Sequence, residues 1–173
     1  VAALLANAEL FEIEGTDQWR VSGEPTEAAM LVLARKAGYL REELERIHSR
    51  TAEIPFHYHR KYHAILTSNG KDEQIAIAGA PEVLLEKMAD ITEKKKKELL
   101  ALVEEHSNSG YRVICVAIKK PVKGSVFDPN IIQDLTFLGL VCLQDVIRPE
   151  VKKAVQQAKD AGIRIVMMTG DHR

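Results

Sequence analysis

Cysteine is scarce in this 173-residue chain, which contains only Cys115 and Cys142, and neither has a CxxC partner. This scarcity argues against a disulfide-stapled fold and against a cysteine-based zinc or redox site. Both residues lie in apolar stretches, so we expect two buried, reduced thiols in a cytosolic setting.

Long hydrophobic runs are also missing. The longest apolar stretch, residues 135–143, is far shorter than the ~20 residues that a membrane-spanning helix needs. No charged-then-apolar signal segment opens the chain. The first residue is Val1 rather than Met, and Arg173 follows closely on a strand-like run. We expect both ends to be boundaries within a longer protein.

No excess of one charge is present either. The net charge is −1, which argues against a general nucleic-acid binder. The hydrophobic fraction of 46% and the charged fraction of 28% are ordinary for a globular protein, so a core can form without disulfides or metals. The length suits one domain, or one domain with a fragment of another.

Residues 1–144 have the pattern of an α+β domain. An Asn-Gly step between two strand-like runs predicts a hairpin, and prolines and glycines mark the helix starts and ends. We expect a mainly antiparallel, twisted sheet flanked by helices. The predicted elements, in chain order, are the end of a helix at residues 2–6, a hairpin across 11–21, helices from Pro25 to about Lys36 and from Leu40 to Ile47, strands at 56–67 and 74–80, helices from Pro81 and Thr92, and strands at 112–118 and 135–143.

The last thirty residues have a different pattern. A helix is predicted from Pro149 to Gly162, followed by an almost continuous apolar strand at 163–168. Strands of that kind are typically buried on both faces of a parallel α/β sheet. We therefore place a domain boundary near Asp145, so that residues 145–173 form the start of a truncated α/β unit.

Thr169, Gly170 and Asp171 follow this strand, at the position where open α/β sheets place their ligands. The glycine would let a ligand approach the backbone, and the aspartate could help to hold Mg²⁺. Thr-Gly-Asp is also a good turn sequence, and for the tripeptide alone that interpretation is favoured.

Residues 56–63 combine aromatic and basic side chains. On a strand, the even-numbered residues would share one face and the odd-numbered ones the other. An aromatic ring beside cations suits a nucleotide, although without further context a half-buried strand with a solvated basic face is favoured. For His57, His59 and His63, surface histidines are favoured over a zinc site, because no local cysteine completes the ligand set. The lysines at 94–97 similarly indicate a solvated helix face.

Six motifs become more specific when they are considered together and in order. They resemble the nucleotide-binding domain and part of the phosphorylation domain of P-type ATPases, and are most similar to the calcium and sodium/potassium pumps. The resemblance implies a haloacid-dehalogenase-like fold for the C-terminal fragment. The motifs are Gly-Glu-Pro-Thr-Glu at 23–27, Pro-Phe at 55–56 with Arg-Lys at 60–61, Gly-Ala-Pro-Glu at 79–82, Gly-Tyr-Arg-Val at 110–113, Asp-Val-Ile-Arg-Pro-Glu-Val at 145–151, and Gly-Ile at 162–163 leading to Thr-Gly-Asp-His at 169–172.

The resemblance implies a role for each matching residue. In the nucleotide site, Phe56 would stack on adenine, Glu27 would lie near the adenine amino group, Lys61 would line the pocket, Gly79 would form its floor, and Arg112 would reach the phosphates.

Two further groups of residues match other parts of the pump. Asp145 and Arg148 would form the hinge between the domains. Thr169, Gly170 and Asp171 would lie near the transferred phosphate, and none of these positions implies a metal ligand within the fragment itself.

The implied function is that of the ATP-binding cytoplasmic domain of a pump that couples ATP hydrolysis to cation transport. Its ligands would be ATP and, in the full-length pump, Mg²⁺, and its partners would be the pump's phosphorylation, actuator and transmembrane domains. The fragment would be a monomer at the cytoplasmic face of a membrane, and calcium is the favoured cation. The chain lacks the Asp-Lys-Thr-Gly-Thr motif that carries the phosphorylated aspartate, so we expect the fragment alone to be inactive.

The sequence departs from the family pattern at Ala78, where a lysine is usual, and at Tyr58, where some relatives have arginine. A hydrogen bond to a charged group contributes roughly 1.5–3 kcal/mol, so ATP binding should be weakened unless Lys61 compensates. Two alternatives remain open, a soluble haloacid-dehalogenase-type phosphatase and a structural module that does not bind nucleotide.

Overall fold

The computed structural model describes residues 1–16, 19–121, 126–145 and 148–168. Two short 3₁₀ segments, Leu85–Lys87 and Pro129–Ile131, lie between the main elements. Those elements, in chain order, are α1 Ala2–Leu5, β1 Glu9–Glu12, β2 Trp19–Ser22, α2 Pro25–Lys36, α3 Arg41–Ile47, β3 Ser49–Ile54, β4 Tyr62–Ser68, β5 Glu73–Gly79, α4 Pro81–Leu84, α5 Glu93–Asn108, β6 Arg112–Lys119, β7 Thr136–Leu143 and α6 Val151–Asp160.

The main sheet of the described part has five antiparallel strands in the order β3-β4-β5-β6-β7, so neighbours in the chain are neighbours in the sheet. The strands β1 and β2 form a separate antiparallel hairpin. This arrangement, with helices flanking the sheet, confirms the predicted α+β fold. No helix among the described residues is long and apolar enough to cross a membrane.

Local sequence signals explain several element ends. Pro25 occupies the first turn of α2, where its missing N–H costs no helical hydrogen bond, and the Glu24 carboxylate caps the Thr26 N–H. The Thr92 hydroxyl caps α5 by accepting from the Lys95 N–H. In the β4–β5 hairpin, the Asn69 side chain accepts hydrogen bonds from two backbone N–H groups of the turn.

The sheet carries an apolar layer on each face. On one face, side chains such as Tyr62, Ile77 and Cys115 pack with Leu84 and Leu99 from α4 and α5. The opposite face packs mainly against α1, with α2 and α3 behind it. Its apolar residues are Leu4, Leu5, Ile65, Ala76, Ala78, Ile114 and Val116. Ala78, the position at which the sequence departs from the family pattern, lies on this second face.

The predicted strand at 56–67 is wrong in its first half. Strand β4 begins at Tyr62, and the preceding residues form a turn in which the Lys61 N–H donates to the His57 carbonyl at 2.7 Å. Lys61 has a φ of +54°, a left-handed conformation that a regular strand cannot accommodate. The alternation of faces predicted for 56–63 therefore does not exist. Strand β3 was not predicted, because Ser49–Ile54 is largely polar and is recognisable only by its pairing with β4.

Of the predicted C-terminal α/β unit, only the helix is observed among the described residues. Helix α6 forms as expected, but residues 163–168 are assigned to no strand. They are exposed, and Met168 retains 92% of its accessible surface. A parallel strand is defined by its hydrogen bonds to neighbouring strands, and among the described residues no strand pairs with this segment. The haloacid-dehalogenase-like fold is thus not shown.

Two burial predictions also need correction. Cys115 is buried as expected, but Cys142 is exposed because it lies on the edge strand β7. Burial raises the pKa of the Cys115 thiol to about 12. Lys96 does not lie on a solvated face. Its side chain is largely covered, and its ammonium pairs with Glu86 at 3.0 Å and Glu93 at 2.9 Å.

Candidate functional site

The loop between β3 and β4 presents Phe56 to solvent. This phenylalanine is 63% exposed, which is unusual for so large an apolar ring. The loop is held in shape at its end by the turn from His57 to Lys61. Tyr58 is also exposed; its ring stacks on His57 at a centroid distance of 4.8 Å and makes a tilted contact with His59 at 3.8 Å.

Gly79 fixes the end of this loop against the sheet. It is the last residue of β5 and lies between Tyr62 of β4 and Cys115 of β6. A Cβ atom at position 79 would be 2.4 Å from the Lys61 carbonyl oxygen and 2.5 Å from the Tyr62 Cβ. The Ala80 N–H donates to the same Lys61 carbonyl at 2.8 Å. Only glycine allows this approach, so the backbone of Lys61 is held directly beside Gly79.

The Lys61 ammonium pairs with the Glu82 carboxylate at 3.0 Å. Both side chains are about half exposed, so the pair contributes less than about 1 kcal/mol to stability. An anionic ligand could therefore displace Glu82 at small cost. The motif pattern indicates Lys61 but not its pairing with Glu82.

The first turn of α2 brings Glu27 and Arg112 to the same region. Glu27 Oε2 accepts a hydrogen bond from the Asn7 backbone N–H at 2.9 Å. The adjacent Thr26 hydroxyl accepts from Arg112 Nη1 at 3.2 Å, which connects α2 to the start of β6. Thr26 lies inside the motif at 23–27, but its own contact with Arg112 was not predicted.

His63 lies directly opposite Ala78 in the β4–β5 pairing and is buried, so the prediction of a surface histidine is wrong at this position. Its Nε2 lies 3.0 Å from Glu53 Oε1 and 3.4 Å from Arg50 Nη2. The shorter contact decides the tautomer, so Nε2–H donates to Glu53. Burial lowers the pKa of His63, while the charges of Glu53 and Glu27 oppose part of that shift. The imidazole is accordingly neutral at pH 7.

Ala78 occupies the position at which a lysine is usual in the family pattern. This residue is only 6% exposed and packs within the apolar layer beside Ile65 and Val116. Its cross-strand partner, His63, is neutral near pH 7. The floor of the site therefore carries no cation at this position.

The structure relates some of the five predicted residues to one another. Phe56 and Lys61 share one loop, Gly79 abuts Lys61, and Arg112 bonds to Thr26, which is the residue before Glu27. The Glu27 charge acts on His63, which links the α2 group to the strand pair β4–β5.

The remaining predicted residues are the hinge pair and the Thr-Gly-Asp segment. Asp145 and Arg148 are exposed, and the two residues between them lie outside the described part. Thr169, Gly170 and Asp171 also lie outside the described residues. In the part that the structure describes, no group of three His, Cys, Asp or Glu residues is arranged to hold a metal ion.

A cavity of about 360 Å³ lies elsewhere, between β1, α2 and α3. It is lined by residues such as Leu31, Arg35 and Tyr39 and includes none of the residues predicted to bind a nucleotide. The exposed side chains of the candidate site, such as Phe56 and Lys61, lie outside this cavity.

Comparison with known proteins identifies the family. Residues 1–150 match the family described as the cytoplasmic domain N of P-type ATPases. The chain belongs to this family. The matched range includes all five residues predicted to bind a nucleotide, and a soluble phosphatase is no longer a competing interpretation of residues 1–150.

Curated relatives match almost the whole chain. A calcium-transporting ATPase of Bacillus subtilis is 33% identical over 98% of this chain, and a cation-transporting ATPase of Synechocystis is 34% identical over 99%. A sodium/potassium exporting P-type ATPase of Schizosaccharomyces pombe is 31% identical over 97%. The chain spans only about one fifth of the length of each of these P-type ATPases.

Proposed function

We propose that this N domain binds ATP on the face formed by β4, β5 and the first turn of α2. The observation that carries the proposal is the close approach of Gly79 to Lys61, which only glycine permits. It holds a loop with an exposed aromatic ring and an ammonium group against the sheet, while the first turn of α2 carries the Glu27 carboxylate and binds the Arg112 guanidinium group through Thr26. Such a combination suits a purine base with a phosphate chain.

The base end would be formed by Phe56 and Glu27. Phe56 offers an exposed ring face for stacking, which in single-stranded nucleic-acid complexes contributes about 1–3 kcal/mol per base. Glu27 has a carboxylate oxygen that can accept from the adenine amino group while its other oxygen is held by Asn7.

The phosphate end would be formed by Lys61 and Arg112. Both are cations held by replaceable partners, Glu82 in one case and the Thr26 hydroxyl in the other. Because Ala78 supplies no third cation, we expect weak affinity, with a dissociation constant on the order of 1 mM. Mg²⁺ would accompany the ATP phosphates rather than occupy a site of this chain.

In the complete protein, this domain would deliver ATP to a phosphorylation domain, and membrane helices would move the cation. Asp145 and Arg148 would form the hinge toward that domain, and Thr169, Gly170 and Asp171 would lie near the transferred phosphate. The domain would thus lie at the cytoplasmic face of a membrane and act as a monomeric part of an ATP-driven cation translocase. Calcium is the cation we favour, since a calcium-transporting ATPase is among the relatives.

The proposal is tested by calorimetric titration of ATP into the purified chain and into Phe56→Ala. Phe11 is a matched control, because it is another exposed phenylalanine but lies on the separate β1–β2 hairpin. We expect Phe56→Ala to weaken binding by about five- to 150-fold, as loss of about 1–3 kcal/mol of stacking requires, and Phe11→Ala to leave it unchanged. Equal affinities for all three proteins, or no binding at 10 mM ATP, taken as roughly ten times the expected dissociation constant, would refute the proposal.

A further inference from the structure

We propose that Asn7 is a positioning residue for Glu27 and thereby sets the preference of the site for a 6-amino purine over a 6-oxo purine. This inference rests on the proposed function, in which Glu27 faces the base. It concerns the short segment between α1 and β1, which none of the sequence motifs includes.

Asn7 holds Glu27 through its backbone. Its N–H donates to Glu27 Oε2 at 2.9 Å, over a separation of twenty residues in the chain. Among the described residues, no hydrogen bond reaches the other oxygen, Oε1. One oxygen is therefore fixed by the protein, and the other is left to accept a hydrogen bond from a ligand.

The Asn7 side chain fixes that backbone in turn. Its Nδ2 donates to Glu53 Oε1 at 3.1 Å, and its Oδ1 accepts from Arg50 Nη1 at 2.6 Å. The orientation of the amide is determined by charge, since the reverse orientation would place the amide oxygen on a carboxylate and the NH₂ group on a guanidinium group. Asn7 thus bridges β3 and the first turn of α2.

Glu53, the β3 residue that accepts from the Asn7 amide, is itself held by two other side chains. Glu53 Oε2 pairs with Arg50 Nη2 at 2.7 Å, and Glu53 Oε1 also accepts from His63. Burial alone would raise the pKa of Glu53, but the hydrogen bond from Asn7 and the charge of Arg50 outweigh it and hold the pKa below its ordinary value. The carboxylate is therefore ionised at neutral pH and presents an acceptor to the Asn7 amide.

The chemistry of the base explains the expected selectivity. A 6-amino group donates a hydrogen bond to a fixed carboxylate oxygen, whereas a 6-oxo group presents lone pairs to the same anion. Discrimination depends on the position of the carboxylate, because a mobile Glu27 could turn away from an oxo group and lose the penalty. If the Asn7 bridge is lost, ATP affinity should fall while the affinity for the 6-oxo analogue stays the same or rises.

The test compares the dissociation constants of ATP and inosine triphosphate for the purified chain and its variants. We expect Asn7→Ala to reduce the ATP-to-ITP preference by about three- to tenfold, in line with loss of part of one charge-assisted hydrogen bond. Asn69→Ala is the matched control, since Asn69 stabilises the β4–β5 turn and makes no contact with the bridge. This control should leave the preference unchanged even if it lowers stability.

A second pair of variants keeps the test decisive if Asn7→Ala does not fold. Glu53→Ala removes the acceptor of the Asn7 amide, and Glu53→Gln retains one oxygen for it. We expect Glu53→Ala to reduce the preference and Glu53→Gln to retain more of it. An unchanged ratio, or an equal loss for both nucleotides, would overturn the positioning role while leaving ATP binding intact. Failure of the unmodified chain to bind either nucleotide would instead refute the proposed function, and the positioning role with it.

Discussion

The close approach at Gly79 gives the sharpest prediction about the fold of this domain. In Gly79→Ala, the new methyl group would lie 2.4 Å from the Lys61 carbonyl oxygen, 2.5 Å from the Tyr62 Cβ and 2.7 Å from the Tyr62 Cα. Two of these three atoms belong to the backbone and cannot move by a rotamer change. To reach ordinary contact distances, β4 and β5 must separate by about 1 Å at this point.

The energetic cost follows from the packing. Overpacking in a well-packed region typically costs 1–3 kcal/mol, and clashes with backbone belong at the upper end, so we expect a loss of about 3 kcal/mol in the free energy of unfolding. With an m-value of about 2 kcal/mol/M in urea, the midpoint of unfolding should fall by about 1.5 M. The same shift of the Lys61 backbone should weaken ATP binding in whatever fraction remains folded.

Gly139 is the matched control for this prediction. It also lies in the main sheet, on β7, but a Cβ atom added there meets nothing within 4 Å. Gly139→Ala should therefore be neutral, or should stabilise by up to about 1 kcal/mol through the lower entropy of the unfolded chain. Equal stability of Gly79→Ala and Gly139→Ala in urea unfolding would show that β4 and β5 accommodate a Cβ atom at position 79, contrary to this prediction.

Three further predictions concern individual side chains. Glu82→Gln should raise ATP affinity about two- to fivefold in calorimetric titration, because it frees the Lys61 ammonium from an ion pair that contributes less than about 1 kcal/mol. Unchanged or weaker ATP binding would contradict this prediction. Because burial lowers the pKa of His63, the unfolded chain binds more protons than the folded chain, so the free energy of unfolding measured in urea should fall as the pH drops below about 6.5. His63→Gln should lack this loss, and an equal fall in the variant would show that His63 is not its source. The native chain should react with a thiol reagent at Cys142 and not at Cys115, whose pKa is about 12, so Cys142→Ser should abolish labelling at pH 8 unless the chain unfolds.

Much of the fold could be predicted from local sequence, because its signals are local. The β4–β5 hairpin follows from Asn69-Gly70, and the start of α2 follows from Pro25. Strand β3 could not be predicted in this way, since its stability comes from pairing with β4 rather than from its own residues. The failed strand at 163–168 shows the opposite case, in which an apolar run lacks the neighbours that would make it a strand.

The candidate site was predicted by motif but not by geometry. Gly79 and Lys61 appear in separate motifs, and their contact depends on the left-handed backbone of Lys61, which no residue pattern signals. Asn7, Glu53 and Glu82 were missed because each acts through another side chain, over distances in the chain that periodicity does not report. These partners determine which charges are free to meet a ligand.

The most direct test of the central claim is to record amide NMR spectra of the ¹⁵N-labelled chain during a titration with ATP. ATP binding at the proposed site predicts progressive, saturable shifts at residues 56–61, at Gly79 and in the first turn of α2, with little change around the cavity near Tyr39. Shifts confined to that cavity, or no shifts up to 10 mM ATP, roughly ten times the expected dissociation constant, would contradict it.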